Sequence, residues 1–144
     1  MPYSEMLVRP MREELTSVGV KELRTAQDVD AFMAEKSGTA MLVVNSVCGC
    51  AAGMARPGIR QALSHGRVPD RVATVFAGQD LEATARARSY FQDIPPSSPS
   101  IAFLKDGELV YFLPRHRIEG RTADAVAGDL VSVFEEHCAV TAAS

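Results

Sequence analysis

Short apolar runs alternate along the chain with segments whose apolar residues recur at helical spacing. The runs over 39–45, 72–77 and 100–104 are short and bounded, so they predict buried strands rather than helices. Asp106-Gly107 is a strong hairpin signal and predicts a returning strand over 108–113. A further short, weak strand is predicted over 20–23.

Helical periodicity fills the intervals between these strands. One helix is predicted to begin at Pro10, because proline is welcome at the first helical position but costs about 3 kcal/mol inside a helix. Thr25 and Thr122 are predicted N-caps. The helix after Cys50 is predicted to reach about residue 65 and to bend at Pro57, which has no N–H to donate. The order helix, β, α, β, α, β, α, β, β, α combines parallel βαβ units with a terminal hairpin.

Composition narrows the class of protein. The 144 residues are 47% hydrophobic, which suits one globular domain over 1–144. A net charge of -3 provides no basic surface for nucleic acid. No apolar run approaches the roughly 18 residues that span a membrane, and the first residues lack the pattern of a signal peptide. We therefore expect a cytoplasmic protein with neither nucleic acid nor membrane as a partner.

The chemically distinctive stretch is Cys48-Gly49-Cys50, which follows the predicted strand over 39–45. It lies where a buried strand ends and a helix begins, the position at which open α/β sheets bind ligands. Free N–H groups and the dipole at a helix start favour a thiolate, so Cys48 should titrate below the value of about 8.5 for a free thiol. Cys48 comes first and should be the more exposed thiol, so it is the predicted nucleophile in thiol–disulfide chemistry.

Two other interpretations of the cysteine pair stay open at this point. The thiols could simply be packed in the core, since free cysteine is often buried. The pair could also serve a metal-binding or carrier protein as ligands, with His65, His116 or Cys138 as further donors. None of these residues lies at a familiar ligand spacing, so no metal site is predicted. Cys138 is expected to be a spectator thiol.

Wider patterns in the chain resemble known families. The cysteine pair at a helix start, the proline-bent helix and the strand led by Pro99 together resemble thioredoxin, although Cys-Gly-Cys replaces the Cys-X-X-Cys motif of that family. The segments 44–53 (VNSVCGCAAG), 10–15 (PMREEL) and 114–121 (PRHRIEGR) resemble the bacilliredoxins. This resemblance implies an α/β, thioredoxin-like fold with a central mixed sheet, flanking helices and an extra N-terminal helix.

The resemblance also implies an activity and its partners. Bacilliredoxins are cytosolic thiol–disulfide oxidoreductases that remove bacillithiol from mixed disulfides on proteins, and weak disulfide isomerase activity is associated with them. The implied partners are S-thiolated client proteins, a low-molecular-weight thiol as substrate and a recycling reductant, with no separate cofactor.

Roles for individual residues follow from the same resemblance. Cys50 is the resolving thiol that closes a disulfide with Cys48, and Gly49 permits that small ring. Ser98 and Pro99, joined by a cis bond, are expected to bind substrate through the backbone; the alternative is an ordinary loop proline. Basic side chains could bind the carboxylates of bacillithiol, or could be ordinary surface charge. They are Arg56, Arg115, His116 and Arg117.

Overall fold

A five-stranded mixed sheet forms the centre of the protein in the computed structural model, which describes residues 2–138. The strands lie in the order β1-β3-β2-β4-β5; β1, β3 and β2 are parallel, and β4 and β5 are antiparallel to their neighbours. The strands are β1 (Lys21–Glu22), β2 (Thr39–Asn45), β3 (Arg71–Phe76), β4 (Ser100–Lys105) and β5 (Glu108–Leu113). The α-helices are α1 (Glu5–Thr16), α2 (Ala26–Ala34), α3 (Arg56–Ala62), α4 (Leu81–Ser89) and α5 (Ala123–His137).

The central strand β2 is buried along its whole length and supplies side chains to both faces of the sheet. Successive side chains of a strand point to opposite faces. Met41 and Val43 accordingly pack with residues of α1, α3 and α5, whereas Leu42 and Val44 pack with residues of α2 and α4. The continuous apolar run over 40–44 therefore lies in a strand that helices cover on both sides, and the predicted buried strand over 39–45 is confirmed.

The strand register brings three connecting segments together at one end of the sheet. The register pairs Val44, near the end of β2, with Ser100 at the start of β4. It also pairs Ile101, near the start of β4, with Leu113 at the end of β5. The loop after β2, the loop before β4 and the turn after β5 therefore meet at the same edge.

Helix α1 differs from the prediction, because it begins at Glu5 and contains Pro10 in its interior. Pro10 has no N–H to donate to the carbonyl of Met6, four residues earlier. Both residues are exposed, so water can hydrogen-bond that carbonyl instead. The opposite face is held by buried Arg12, whose guanidinium contacts Asp80 at 2.6 Å and Glu5 at 2.7 Å. Tertiary ion pairs thus stabilise a first helical turn, before residue 10, that the local rule for proline does not predict.

The segment after the cysteines contains a wider helical turn just before Pro57. Residues Ala51–Ala55 form a π-helical turn, in which the N–H of Arg56 donates to the carbonyl of Ala51. Pro57 then falls in the first turn of α3, where no intrahelical donor is needed. Helix α3 ends at Ala62, earlier than the predicted residue 65.

The predicted caps and hairpin are confirmed. Thr25 accepts a hydrogen bond from the N–H of Asp28, and Thr122 accepts one from the N–H of Ala125, both at 3.1 Å. Asp106 and Gly107 have φ of 50° and 84°, the positive values that a tight hairpin requires.

The expected single domain over 1–144 includes Met1 and residues 139–144, which lie outside the described residues. Within residues 2–138, no helix combines the length and apolarity needed to cross a membrane.

Candidate active site

The two cysteines of the Cys-Gly-Cys motif lie side by side just beyond β2. Cys48 Sγ is 2.8 Å from Cys50 Sγ, and both thiols are free. Cys48 is half-buried, whereas Cys50 is buried with only 7% of its surface exposed. The backbone N–H groups of Ala51 and Ala52 both donate to the carbonyl of Cys48 at 3.1 Å, so the helical segment starts at this turn. The prediction that Cys48 is the more accessible thiol is confirmed.

The surroundings of Cys48 favour its thiolate. Burial is the largest single effect and raises the pKa of Cys48, whereas hydrogen bonds from Cys50, 2.8 Å away, and from Ser46, 3.1 Å away, lower it. The backbone N–H of Ala51 and the positive charge of Arg115 lower it further. The net result is a Cys48 pKa below its ordinary value, in the direction that the helix-start argument predicts.

The surroundings of Cys50 favour the protonated thiol. Burial raises the pKa of Cys50, and so do the hydrogen bond to Cys48 and the negative charge that Cys48 carries as a thiolate. Cys50 can therefore donate its S–H to the Cys48 thiolate while both cysteines are reduced. The pair divides into an accessible sulfur whose pKa is lowered and a buried sulfur whose pKa is raised.

The loop before β4 approaches Cys48 from the neighbouring strand. The Ser98–Pro99 bond is cis, which confirms that prediction. The carbonyl oxygen of Ser98 is 4.0 Å from Cys48 Sγ. Arg115, from the turn after β5, donates to that same carbonyl from Nη1 at 3.3 Å and donates its backbone N–H to Ser97 at 3.3 Å. Arg115 thus ties this loop to the turn after β5 beside the reactive sulfur.

A groove of about 430 Å³ opens between this loop and the turn after β5. Pro95 and Pro96 line one side, and exposed Arg115 and His116 line the other. This volume falls within the range of small-molecule sites. The groove therefore lies between the segment that precedes Ser98 and the turn that carries Arg115, and His116 lines it. A role for His116, Ser98 and Pro99 in substrate binding stays a prediction.

The prediction that Arg56 binds substrate is wrong. Its guanidinium is 2% exposed and is occupied by Glu14, Asn45 and the carbonyl of Ser46. A carboxylate of a substrate cannot reach a buried cation whose hydrogen bonds point into the protein.

Two of the further donors considered for a metal site contact other groups. His65 pairs with Glu135, and buried Cys138 contacts Thr39 at the start of β2. Cys48 follows the other end of that seven-residue strand, a separation of roughly 20 Å. Across residues 2–138, no cluster of three or more His, Cys, Asp or Glu side chains could hold a metal ion.

The sequence did not reveal the residues before Cys48 that hydrogen-bond its sulfur and its backbone. Ser46 both accepts from the N–H of Cys48 at 3.4 Å and contacts its sulfur, and Asn45 accepts from the N–H of Ser46 at 2.9 Å. A serine two residues before a strand-end cysteine is the available signal, because short hydroxyl side chains often fold back onto nearby backbone. The hydrogen bond between Arg56 and Glu14 joins residues 42 positions apart, so no local pattern in the sequence indicates it.

The sequence is similar to known proteins along nearly its whole length. A protein-family model described as disulphide isomerase matches residues 3–138. A bacilliredoxin of Koribacter versatilis is 56% identical over 140 residues, covering 97% of each chain. A bacilliredoxin of Bacillus licheniformis is 53% identical over 137 residues, covering 94% of this chain and 95% of that one.

Solved structures establish the fold. A mutant thioredoxin of Halobacterium salinarum superposes with a TM-score of 0.57 at 15% identity, covering 86% of this chain and 95% of that one. A thioredoxin of Fasciola hepatica gives a TM-score of 0.55 at 20% identity, covering 80% and 99%. The predicted thioredoxin-like fold is confirmed.

Proposed function

Since this chain belongs to the bacilliredoxin family and is a thiol–disulfide oxidoreductase, we propose that it removes bacillithiol or a similar low-molecular-weight thiol from mixed disulfides on client proteins. The observation that carries the proposal is the pairing of an accessible Cys48 with a buried Cys50, their sulfurs 2.8 Å apart. Only the accessible sulfur can meet a protein-bound disulfide, and the buried one is in place to resolve the product.

The reaction is a sequence of two thiol–disulfide exchanges. The Cys48 thiolate attacks the sulfur of the low-molecular-weight thiol; an S–S bond forms between them as the bond to the client breaks, and the client leaves as a thiolate that takes up a proton. Cys50 then loses its proton and attacks the Cys48 sulfur. That step forms the Cys48–Cys50 disulfide and releases the low-molecular-weight thiol. A reductant must supply two electrons and two protons to restore the pair, so we propose a recycling partner that does so by further thiol–disulfide exchange.

The change in charge at Cys48 makes the second step feasible. While Cys48 is a thiolate, its charge raises the pKa of Cys50. Once Cys48 is joined to the incoming thiol, that charge is gone, and the positive charge of Arg115 still lowers the pKa of Cys50. Cys50 therefore becomes a better nucleophile when a mixed disulfide is present for it to attack.

The groove beside Ser98 is the proposed site for the small thiol. Arg115 and His116 offer donors for its carboxylates, and the backbone before Pro99 offers hydrogen bonds to the part near the sulfur. The proposed location is the cytoplasm, where thiols are kept reduced and a dithiol can turn over.

Mass spectrometry of the protein mixed with a bacillithiolated model client tests the proposal. In a background carrying Cys138→Ala, Cys48→Ser should abolish uptake of the thiol, and Cys50→Ser should accumulate bacillithiol on Cys48. A glutathionylated copy of the same client identifies which thiol is preferred. Equal trapping by both single variants, or no uptake from either client, contradicts the assignment.

The description of the matching family supports a second activity, weak disulfide isomerisation. The same Cys48 thiolate would attack a non-native disulfide in a client, and the client's own thiol would later displace it. Recovery of activity by a scrambled-disulfide model enzyme measures this directly, and Cys48→Ser is the negative control. Metal analysis with thiol titration of the same preparation tests the remaining alternative, a metal carrier.

A further inference from the structure

A buried arginine lies directly beneath the catalytic turn. Arg56 begins α3, and its guanidinium makes three hydrogen bonds to three different partners. Nε donates to Glu14 of α1 at 3.0 Å, while Nη1 donates to Asn45 Oδ1 at 2.9 Å and to the carbonyl of Ser46 at 2.7 Å. A single side chain therefore joins α1, α3 and the end of β2.

The partners of Arg56 lead directly to the reactive sulfur. Asn45 Oδ1 also accepts from the N–H of Ser46 at 2.9 Å, so the amide oxygen and Arg56 together hold both backbone polar groups of Ser46. Ser46 Oγ then contacts Cys48 Sγ at 3.1 Å and accepts from the N–H of Cys48 at 3.4 Å. Asn45 and Ser46 are 1% and 6% exposed, so water does not compete for these contacts.

We propose that Arg56 is a positioning residue that acts through Ser46 to aim a hydrogen bond at the Cys48 sulfur. The inference deepens the proposed function and rests on its assignment of Cys48 as the nucleophile. Arg56 does not touch the sulfur; it fixes the peptide that carries the Ser46 hydroxyl.

The chemistry of the guanidinium explains why this position holds an arginine. Its planar, forked donors can bond acceptors in several fixed directions at once, whereas a lysine ammonium is a single point on a flexible stem. A buried cation also needs a compensating charge, and Glu14 of α1 supplies it. The N-terminal helix thereby contributes to the geometry of the site. Cys48 is also faced by Cys50 from its own turn and by Arg115 from the turn after β5.

The test compares Arg56→Lys with Arg60→Lys in a background of Cys50→Ser and Cys138→Ala, where Cys48 is the only thiol. Arg60 is the matched control, because it lies on the same helix and also bonds α1, through the carbonyl of Glu14 and the Ser17 hydroxyl, at 2.6 Å and 2.9 Å. The measurement is the pH dependence of iodoacetamide alkylation.

Arg56→Lys should move the alkylation midpoint upward and slow alkylation several-fold below the midpoint, and Arg60→Lys should leave both unchanged. Ser46→Ala removes the hydroxyl itself and should slow alkylation about tenfold, because hydrogen bonds to charged groups are the strong ones. The double variant Ser46→Ala/Arg56→Lys should be no slower than Ser46→Ala alone, since both changes remove one interaction. Full additivity, or an unchanged midpoint in Arg56→Lys, overturns the inference.

A measurement on the unmutated side chain covers the case in which Arg56→Lys does not fold. In the single-thiol background, the NMR signal of the Arg56 Nε–H should shift with the same midpoint as Cys48 alkylation, and Ser46→Ala should weaken that shift. A signal that ignores Cys48 ionisation contradicts the inference. Failure of the proposed function is a different result, because the protein with all its cysteines would then take up no thiol from a bacillithiolated client.

Discussion

The hydrogen bond between the two cysteines predicts that Cys50→Ala and Cys50→Ser differ in the reactivity of Cys48. Both changes remove the resolving thiol. Serine keeps an O–H within hydrogen-bond range of the Cys48 thiolate, whereas alanine leaves no donor in a position where only 7% of the native residue is exposed and water has little access.

The size of the difference follows from this contact. A hydrogen bond to a charged group contributes about 1.5–3 kcal/mol. The lower end applies to the serine O–H of Cys50→Ser, because a C–O bond is shorter than a C–S bond and leaves the hydroxyl farther from the Cys48 sulfur than the native thiol. A change of about 1.4 kcal/mol is tenfold in an equilibrium. Losing a donor to the charged form raises the pKa of Cys48, so at a fixed pH below the midpoint Cys50→Ala should contain about tenfold less thiolate than Cys50→Ser.

Alkylation by iodoacetamide at a series of pH values measures this, with Cys138→Ala in both proteins so that one thiol reports. Thermal unfolding of each variant confirms that both are folded. The Cys50→Ala profile should lie at higher pH, and both variants should still accumulate a mixed disulfide on Cys48 when the pH is high enough. Coincident profiles, or a lower midpoint in Cys50→Ala, would refute the view that a hydrogen-bond donor at position 50 stabilises the Cys48 thiolate.

Two further predictions concern packing and charge. Gly58→Ala places a methyl group 2.9 Å from the Val126 side chain and should lower the free energy of unfolding, measured in urea, by about 1–3 kcal/mol. The matched control is Gly128→Ala, whose methyl group would have nothing within 4 Å and should stabilise the last helix by up to about 1 kcal/mol. Equal effects of the two changes would contradict this packing. Arg115→Gln should raise the alkylation midpoint of Cys48 and slow alkylation below that midpoint by less than about threefold. The effect should shrink in high salt, because the Arg115 charge is exposed. An effect independent of salt would mean that Arg115 acts through its hydrogen bonds to the loop before β4 rather than through its charge.

The strands and the cysteine turn could be predicted because their signals are local. The bounds of β2 and β5 agree with the predicted runs, and Thr25 and Thr122 cap the helices that follow them. A strand buried on both faces requires a short, continuous apolar run, and a cap requires a short polar side chain at one position. The thiolate preference of Cys48 is local in the same sense, since its strongest stabilising contacts are Cys50 and Ser46, each two residues away.

The start of α1 and the role of Arg56 depended on contacts distant in sequence. Proline costs a helix one hydrogen bond, and only the tertiary structure shows that Pro10 faces water while Arg12 anchors the opposite face to Asp80. From the sequence alone, Arg56 is close to a reactive cysteine and is therefore predicted to bind the substrate. The folded chain instead surrounds Arg56 with acceptors from α1 and the end of β2.

The sequence by itself therefore determined the elements, their order and the identity of the redox pair, because hydrophobic periodicity, capping and turn chemistry act over a few residues. Tertiary structure alone decided which cations are buried and which groups from distant loops approach Cys48, among them Ser98 and Arg115. Whether a side chain is buried, and which groups it can hydrogen-bond, depends on residues far apart in the chain that folding of the sheet brings into contact. For Arg56 and Glu14, 42 positions apart in the chain, no local pattern encodes that meeting.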